Sequence, residues 1–429
     1  MKIKKFICLF TTGIIFVSLF LSVPTVSSTV HREEEPKIKI GDFSYKFKEN
    51  VQYGSVKIPY SATVVEFPDI QKVELPSKVT YNGNEYTVTD IMIYGGYYVV
   101  KNNSYISKCK YPNIEEIVLP DTIYNITDLG YFSNLKKINI PKNTVLRRSK
   151  KYFTENYYYD FEFTGGLSGC PNLKLSLDPE NPYYCYKNDM LLSKDGKTLF
   201  ISFNSQKNIE IPDGVETLLY RGGYGFESVE NVKFPNTLKY IGDYVFSDSN
   251  LTKVTLPNSV KQIKDSAFSN SGLKTIKFGK NLTRLDMSAF SNCKNLETLK
   301  LPKNLKTIGY YAFENCKNLK SVKILSKNIV IQGEAFAGCR KLKTVKINGT
   351  KKIEYEAFRG CRKLCKVKTG NIEKAPKIEK RAFKGTKKDI KFYVKNKKVA
   401  KSLKKQLKGS GVRNAKILIG KKVVYKNVK

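Results

Sequence analysis

The stretch LETLKLPKNLKTIGYYAFENCKNL, residues 296–319, decides the fold. It begins with the pattern L-x-x-φ-x-φ, where φ is an apolar residue, and Pro302 follows directly. Alternation of polar and apolar residues predicts a short strand with one buried face, and the proline ends the strand because it cannot donate to the next ladder bond. The second half of the stretch turns the chain back. We expect its inward-pointing residues to be Leu305, Ile308, Ala312, Phe313 and Cys316.

The same pattern recurs through the second half of the chain. Its most regular marker is a phenylalanine that returns at intervals of 20, 22, 22, 23, 23, 22 and 25 residues. These phenylalanines are Phe226, Phe246, Phe268, Phe290, Phe313, Phe336, Phe358 and Phe383, and alanine directly precedes the last six. A repeat of about 22–23 residues is typical of a solenoid, in which the coils bury their apolar faces only against one another.

The repeat unit resembles that of the BspA-type leucine-rich repeat family, which reads L-x-x-I-x-I-P, then I-G, x-x-A-F and C-x-x-L. Residues 296–319 match this unit at almost every position, and the resemblance runs from about residue 40 to the end of the chain. It implies an α/β, predominantly β fold: a leucine-rich repeat solenoid with a parallel strand stack and a small C-terminal cap. It also implies cell-surface adhesion and binding to host extracellular-matrix proteins. The motif determines core positions and leaves the binding face free, so it identifies no ligand.

Four parts of the chain are expected from these patterns. Residues 1–28 read as a secretory signal peptide, with a basic start, an apolar stretch and small residues before a cleavage point, although an uncleaved anchor is the alternative. Residues 29–62 are expected to form an N-terminal cap or leader strands, and residues 63–385 the solenoid. Tyrosine-rich stretches near 92–111 and 143–165 break the repeat and are interpreted as insertions. Residues 386–429 are expected to form the C-terminal cap, and no segment after the signal is long and apolar enough to cross a membrane.

Local signals predict two hairpins and one helix. Asn82-Gly83 and Asp195-Gly196 each lie between two apolar runs, which is typical of a tight turn between antiparallel strands. In the cap, Gly409 and Gly411 should end a helix, and a strand is expected near residues 412–418. The apolar residues at helical spacing are Val399, Ala400, Leu403 and Leu407.

Composition excludes several kinds of catalytic site. The single histidine, His31, lies beside the expected cleavage point, which argues against Ser-His-Asp and Cys-His catalysis and against histidine zinc sites. Asp160 and Glu162 could be proposed as a glycosidase pair, but two acids two residues apart in a tyrosine-rich loop are typical of an ordinary surface. We therefore predict a protein that is not an enzyme and has no cofactor and no metal site.

Cysteines recur at one position of the repeat, as Cys293, Cys316, Cys339 and Cys361, with Cys170 a candidate fifth member. A metal site needs ligands that converge on one point, which one sulfur per coil does not provide. Two interpretations stay open. The column consists either of buried thiols that act as small apolar side chains or of disulfides between coils about 4.8 Å apart.

The charge of the chain is strongly basic and uneven. Lysine and arginine number 76 against 38 acidic residues, a net charge of +38, and residues 351–429 hold 28 basic and 5 acidic residues. Such an excess indicates an anionic partner or surface and says nothing about the fold.

Part of this charge is expected on the open face of the strands, because the third and fifth residues of L-x-x-φ-x-φ point away from the core. Five consecutive coils present lysine at the fifth position, beside a column of hydroxyl groups at the third. The face is interpreted either as a solubilising surface or as an extended groove for a polyanion or an acidic protein. The candidate ligand-binding residues are Lys233, Lys253, Lys277, Lys300, Lys323, Lys346, Lys366, Lys368, Thr275, Thr298, Ser321 and Thr344.

Together these features favour an exported, non-enzymatic binding or adhesion protein, secreted or held at the cell surface and expected to be monomeric. Its partner would be an extracellular protein or a polyanionic glycan or wall polymer. The alternative is a basic structural protein of the envelope, held to anionic wall polymers by its C-terminal cap without specific recognition. Nucleic acid has the charge in its favour, but export argues against it.

Overall fold

The structure is a computed structural model that describes residues 36–93, 96–101, 104–127, 129, 132–147, 170, 173–202, 207–219, 226, 228–370 and 372–428. The expected signal peptide at 1–28, His31 and the pair Asp160 and Glu162 lie outside the described residues, as does most of the tyrosine-rich stretch 143–165. The described chain is predominantly β, with one α-helix, and forms the expected solenoid of parallel strands.

One short parallel strand per coil forms the first side of the solenoid. The pattern L-x-x-φ-x-φ produces these strands as expected: in Lys253–Thr255, Val254 is buried while its two neighbours are exposed. The strands are hydrogen-bonded into a four-stranded sheet, two pairs and a seven-stranded sheet. They are Lys72–Glu74, Glu116–Val118, Lys137–Ile140, Lys174–Leu177, Asn208–Glu210, Asn231–Lys233, Lys253–Thr255, Thr275–Lys277, Thr298–Leu301, Ser321–Ile324, Thr344–Lys346, Lys366–Lys368, Lys391–Val394 and Ala415–Ile419. A last strand, Lys422–Val428, adds to the seven-stranded sheet but runs antiparallel to Ala415–Ile419.

The segment around the I-G motif forms a second sheet of eleven strands. Its members are Tyr184–Lys187, Met190–Ser193, Thr198–Ser202, Thr217–Leu218, Tyr240–Ile241, Gln262–Ile263, Arg284–Leu285, Thr307–Ile308, Val330–Ile331, Lys352–Ile353 and Lys377–Ile378. The first three strands are antiparallel, and the turn that joins the second and third contains Asp195-Gly196, as predicted. The remaining strands are parallel, one for each coil.

The N-terminal region forms a seven-stranded sheet that also includes strands of the first coils. Its strands are Ile38–Ile40, Phe43–Tyr53, Val56–Glu66, Lys78–Tyr81, Asn84–Met92, Asn125–Thr127 and Val145–Arg147. The predicted hairpin at Asn82-Gly83 is present, since Lys78–Tyr81 pairs antiparallel with Asn84–Met92. In the tyrosine-rich stretch near 92–111, Gly96–Lys101 and Ser104–Cys109 form a separate antiparallel pair. The division of the chain at residues 62 and 385 remains a prediction.

The C-terminal helix is Lys397–Gln406, where helical spacing predicted one. It begins at Asn396, whose side chain accepts a hydrogen bond from the Val399 N–H at 2.9 Å and so satisfies a free helix-end donor. Gly409 follows the helix with a φ of +71°, a left-handed conformation that suits glycine. The strand after it begins at Ala415, later than the expected residue 412.

A phenylalanine spine fills the interior. From Phe246 to Phe383 the rings stack coil on coil with centroids 5.1–5.3 Å apart, and Phe226 extends the stack with a tilted ring 5.0 Å from that of Phe246. Phe392 closes the stack, since its ring meets that of Phe383 at 90° and 5.5 Å. The phenylalanines that recur at these intervals therefore form one continuous buried spine, and the residues after Phe383 belong to the same hydrophobic core.

In the coils of Phe246 to Phe383, two positions beside the spine phenylalanine adopt the left-handed conformation, which the sequence analysis did not predict. One lies two residues before the spine phenylalanine and the other two residues after it. The second position is occupied by Asp248, Asn270, Asn292, Asn315, Gly338, Gly360 and Gly385. These are the residue types that tolerate a positive φ, so this column of asparagine and glycine is the signal that could have located the turn.

Candidate ligand-binding face

The predicted lysine column is present on the first sheet. Lys300 pairs in register with Lys323, Lys323 with Lys346, and Lys346 with Lys368. All four side chains are exposed, because the residue between the two outward positions of each strand is the buried one. Neighbouring strands in a sheet lie about 4.8 Å apart, so the four lysines form a row about 15 Å long. We call these four residues the lysine face.

A column of hydroxyl groups lies beside the lysine face, at the third position of the L-x-x-φ-x-φ pattern. Thr298 pairs with Ser321, Ser321 with Thr344, and Thr344 with Lys366. The structure thus brings eight of the predicted residues together on one surface, in two columns that are two strand positions apart. The strand of Thr275 and Lys277 lies one coil before Lys300 but is hydrogen-bonded to the strand of Lys253 instead.

Lys233 differs from the four lysines of the lysine face because its charge is paired. Its ammonium forms an ion pair with the carboxylate of Glu210, which occupies the same position one coil earlier. Thr255 then separates Lys233 from Lys277, so the uninterrupted row of lysines starts at Lys277. Lys233 and Lys253 therefore lie at the margin of the candidate site.

Sequence reasoning missed the continuation of this basic surface into the C-terminal segment. Lys366 pairs with Lys391, and Lys391 with Lys416, so the third position becomes a lysine column where the hydroxyls end. Tyr393 pairs with Lys368 and follows it at the fifth position. The sequence analysis missed this register because the interval before Phe383 is 25 residues, longer than the others. Aligning Val367 with Phe392, its partner in the structure, would have given the correct register.

The electrostatics of the lysine face differ from those of the surrounding surface. Elsewhere the solenoid pairs opposite charges across coils, as in Lys136 with Glu115 at 2.8 Å and Lys239 with Glu216 at 2.7 Å. Beside the face, Lys320 pairs with Glu297 at 2.8 Å and holds the pKa of that carboxyl below its usual range. Among the described residues, no carboxylate forms an ion pair with the four lysines of the face.

The cysteine column lies in the core, away from this face. Cys293, Cys316, Cys339 and Cys361 are fully buried and form no disulfide. Each thiol lies 3.1–3.2 Å from the carbonyl oxygen of the preceding coil's spine phenylalanine. Burial raises the pKa of the Cys293 thiol to about 12 and also raises that of Cys316 and Cys361, so these thiols are protonated at neutral pH.

The position of the cysteines is polar in other coils. Ser249, Ser271 and Thr386 occupy it, are buried, and donate to the carbonyl of their own coil's phenylalanine at 2.8–2.9 Å. The column therefore supplies hydrogen bonds as well as apolar volume. The sequence analysis identified the cysteines and did not recognise that serine and threonine continue their column.

The described part of the chain lacks two further features. No cluster of three or more histidine, cysteine, aspartate or glutamate residues is placed to hold a metal ion. No helix there is long and apolar enough to cross a membrane.

Comparison with known proteins agrees with the repeat geometry. Residues 194–320 and 284–406 match the family model described as "BspA type Leucine rich repeat region", in six copies. A search of curated proteins found no match.

Several solved structures are similar to the chain. A leucine-rich repeat protein from Bacteroides ovatus is 20% identical with a TM-score of 0.49, over 89% of this chain and 99% of that one. The pneumococcal vaccine antigen PcpA is 18% identical with a TM-score of 0.41, over 90% of this chain and 99% of that one. A leucine-rich cell surface protein from Faecalibacterium prausnitzii is 17% identical with a TM-score of 0.40, over 91% and 96%. From the family model and the repeats seen in the structure, the chain belongs to the BspA-type leucine-rich repeat family.

Proposed function

We propose that this protein is an exported, non-enzymatic binding protein that holds an acidic macromolecule on its lysine face. The observation that supports the proposal is the register of Lys300, Lys323 and Lys346, which are exposed on adjacent strands without carboxylate partners among the described residues. Export is part of the proposal and rests on the signal-like sequence of residues 1–28.

The register of the lysines favours a binding role over a solubilising one. Like charges about 5 Å apart in water repel by about 0.8 kcal/mol, and like charges directly opposite on adjacent strands destabilise a sheet. A surface that serves only solubility needs no such row, because mixed charges serve as well. An anionic ligand would remove the repulsion, so the free energy lost in the unbound protein would be recovered on binding.

The shape of the face indicates the kind of ligand. A row about 15 Å long can contact several acidic groups of one extended chain, whereas a small ion would meet only one or two lysines. The neighbouring hydroxyls of Thr298, Ser321 and Thr344 can donate hydrogen bonds to the same ligand. The ligand class is therefore an acidic protein segment or a polyanionic glycan or wall polymer.

A second candidate function is attachment to an anionic envelope through the C-terminal segment. The helix Lys397–Gln406 supports it, because Lys398, Lys401 and Lys405 are exposed there while its apolar side packs into the core. Deleting the segment would not test this function, since Phe392, Leu403 and Ile417 are buried in the common core. Charge substitutions on the exposed lysines leave that core intact.

The two functions are distinguished by two matched triple variants. One carries Lys300→Gln, Lys323→Gln and Lys346→Gln; the other carries Lys398→Gln, Lys401→Gln and Lys405→Gln. Binding of each full-length variant to immobilised heparin, to wall teichoic acid and to an acidic matrix protein is measured across a salt series. We expect the first variant to lose at least about tenfold in affinity and to show a weaker dependence on salt. Equal losses from both variants would show that only net charge matters, and a loss confined to the second would favour envelope attachment.

A further inference from the structure

A second basic site lies between the last coils and the C-terminal helix. A groove of about 1110 Å³ is bordered there by the segments that connect the first sheet to the second, and by Ser402 and Gln406 of the helix. None of its residues belongs to the lysine face. We call it the lysine groove, after Lys327, Lys351, Lys374 and Lys377 in its walls.

The groove arises from an irregularity in the repeat. Each coil has one buried residue in its first-sheet strand and one in its second-sheet strand, and the spacing between the two varies. The spacing is nine residues in the coils of Leu299 and Val322, eight in the coil of Val345 and eleven in the coil of Val367. A long connection therefore follows the shortest one. The longer segment contains Pro376, and residues of both connections border the groove together with the helix.

The charge in the groove is largely uncompensated. Of its five lysines, only Lys352 is paired, with Glu354 at 2.9 Å and Glu379 at 2.8 Å. Within the described chain, Lys327, Lys351, Lys374 and Lys377 form no ion pair, and Glu373 is the single acidic residue of the walls. These lysines all border the same concave groove, and their uncompensated positive charge there favours an anion.

Neutral hydrogen-bonding groups surround the lysines. The Gln406 Oε1 atom accepts from the Ile378 N–H at 3.2 Å, which leaves the amide N–H groups of Gln406 as donors. The hydroxyl of Thr350 is buried and has no partner among the described groups. A buried hydroxyl without a partner is destabilising, so a polar ligand or a water in the groove would stabilise this wall. Asn328, Asn348 and Ser402 add further donors and acceptors.

We propose that the lysine groove binds an acidic saccharide, a sugar unit that bears a sulfate or a carboxylate. The lysines supply charge-assisted hydrogen bonds to the acid group, and the amides and hydroxyls suit the hydroxyl groups of a sugar ring. The buried Ile372 and Ala375 provide a small apolar surface for the ring. Among the described residues, the walls contain no aromatic side chain on which a nucleotide base could stack. The volume is close to the range of pockets that hold a small molecule, about 300–1,000 Å³.

The test is calorimetric titration of the full-length protein with a sulfated heparin disaccharide, with the same disaccharide after desulfation, and with lactose. We expect the sulfated disaccharide to bind, the desulfated one to bind more weakly because its carboxylate is its single acid group, and lactose not to bind. Lys351→Gln with Lys374→Gln should weaken binding at least about tenfold, whereas Lys398→Gln with Lys401→Gln, which removes the same charge from the exposed side of the helix, should change it less than about twofold.

Two further variants separate the groove from general electrostatics. Ser402→Trp keeps every charge and fills the groove, so it should abolish the binding. The triple lysine-face variant should leave the disaccharide affinity unchanged, which makes failure here distinguishable from failure of the proposed function. Absence of disaccharide binding by the unmodified protein, or equal weakening by both double variants, would overturn the proposal. Normal affinity of a folded Ser402→Trp protein, checked by its thermal unfolding, would overturn it as well.

Discussion

The backbone N–H of Phe313 donates to the carbonyl oxygen of Ala335 in the next coil, at 2.8 Å. The same bond joins Phe290 to Ala312 and Phe336 to Ala357, so the Ala-Phe dipeptide forms a hydrogen-bonded ladder outside the two sheets. Each alanine is fully buried beneath this ladder. The dipeptide therefore recurs for two reasons: the ring fills the core, and the backbone around it connects each coil to the next.

Replacing Phe313 by alanine should strongly destabilise the protein. The ring is fully buried and stacks on Phe290 and Phe336 at 5.2 and 5.3 Å, so the change removes apolar burial and leaves a cavity. We expect a loss of about 3–5 kcal/mol in the free energy of unfolding, measured by chemical denaturation. Tyr310→Ala is the matched control, because Tyr310 lies in the same coil but is exposed, and it should cost less than about 1 kcal/mol. Similar costs for the two variants would contradict the spine.

The sequence predicted the coils wherever their period is regular. From Phe246 to Phe358 the spacing varies by only one residue, and the first-sheet strands and the spine lie where the pattern placed them. The predicted positions of the motif were wrong after a connection of unusual length, as before Phe383. There a shift of two residues moves every later position of the motif. For the same reason the extension of the lysine face to Lys391 and Tyr393 was missed. The lysine groove could not be predicted, because it depends on how connections of unequal length pack against the helix.

Cys316 should tolerate serine better than alanine. Its thiol donates to the Phe290 carbonyl at 3.2 Å, and serine already occupies this repeat position at Ser271. Cys316→Ser keeps a donor of similar size, whereas Cys316→Ala loses the donor and leaves a small void. We expect Cys316→Ser to stay within about 1 kcal/mol of the unmodified protein and Cys316→Ala to cost about 1–2 kcal/mol more, measured by urea denaturation under reducing conditions. The reverse order would mean that the column acts only through apolar volume.

Stability should fall between pH 5 and pH 8 because of Glu314. Burial, with the neighbouring Glu334 carboxylate, raises the pKa of Glu314 from 4.5 to about 7, although Arg359 opposes the shift. A carboxyl whose pKa is higher in the folded state binds its proton more tightly there, so its stabilising effect is complete below pH 4.5 and is lost as the pH rises towards 7. Glu314→Gln imitates the protonated acid. It should raise the melting temperature at pH 8 and change it little at pH 5, and an equal effect at both values would contradict the raised pKa.

Lys323 offers a test of whether the lysine face lowers stability in the unbound protein. It lies in register between Lys300 and Lys346, so Lys323→Glu replaces two repulsive cross-strand neighbours by two attractive ones. We expect the variant to be more stable by about 0.5–1 kcal/mol at low salt, with the gain disappearing at about 1 M salt, while its affinity for heparin falls. Lys136→Glu is the control of opposite sign, because it replaces the pair with Glu115 by a repulsion and should lower stability at low salt. If Lys323→Glu lowered stability as well, the lysines would not repel one another in the folded protein, and the argument for an anionic ligand from their register would fail.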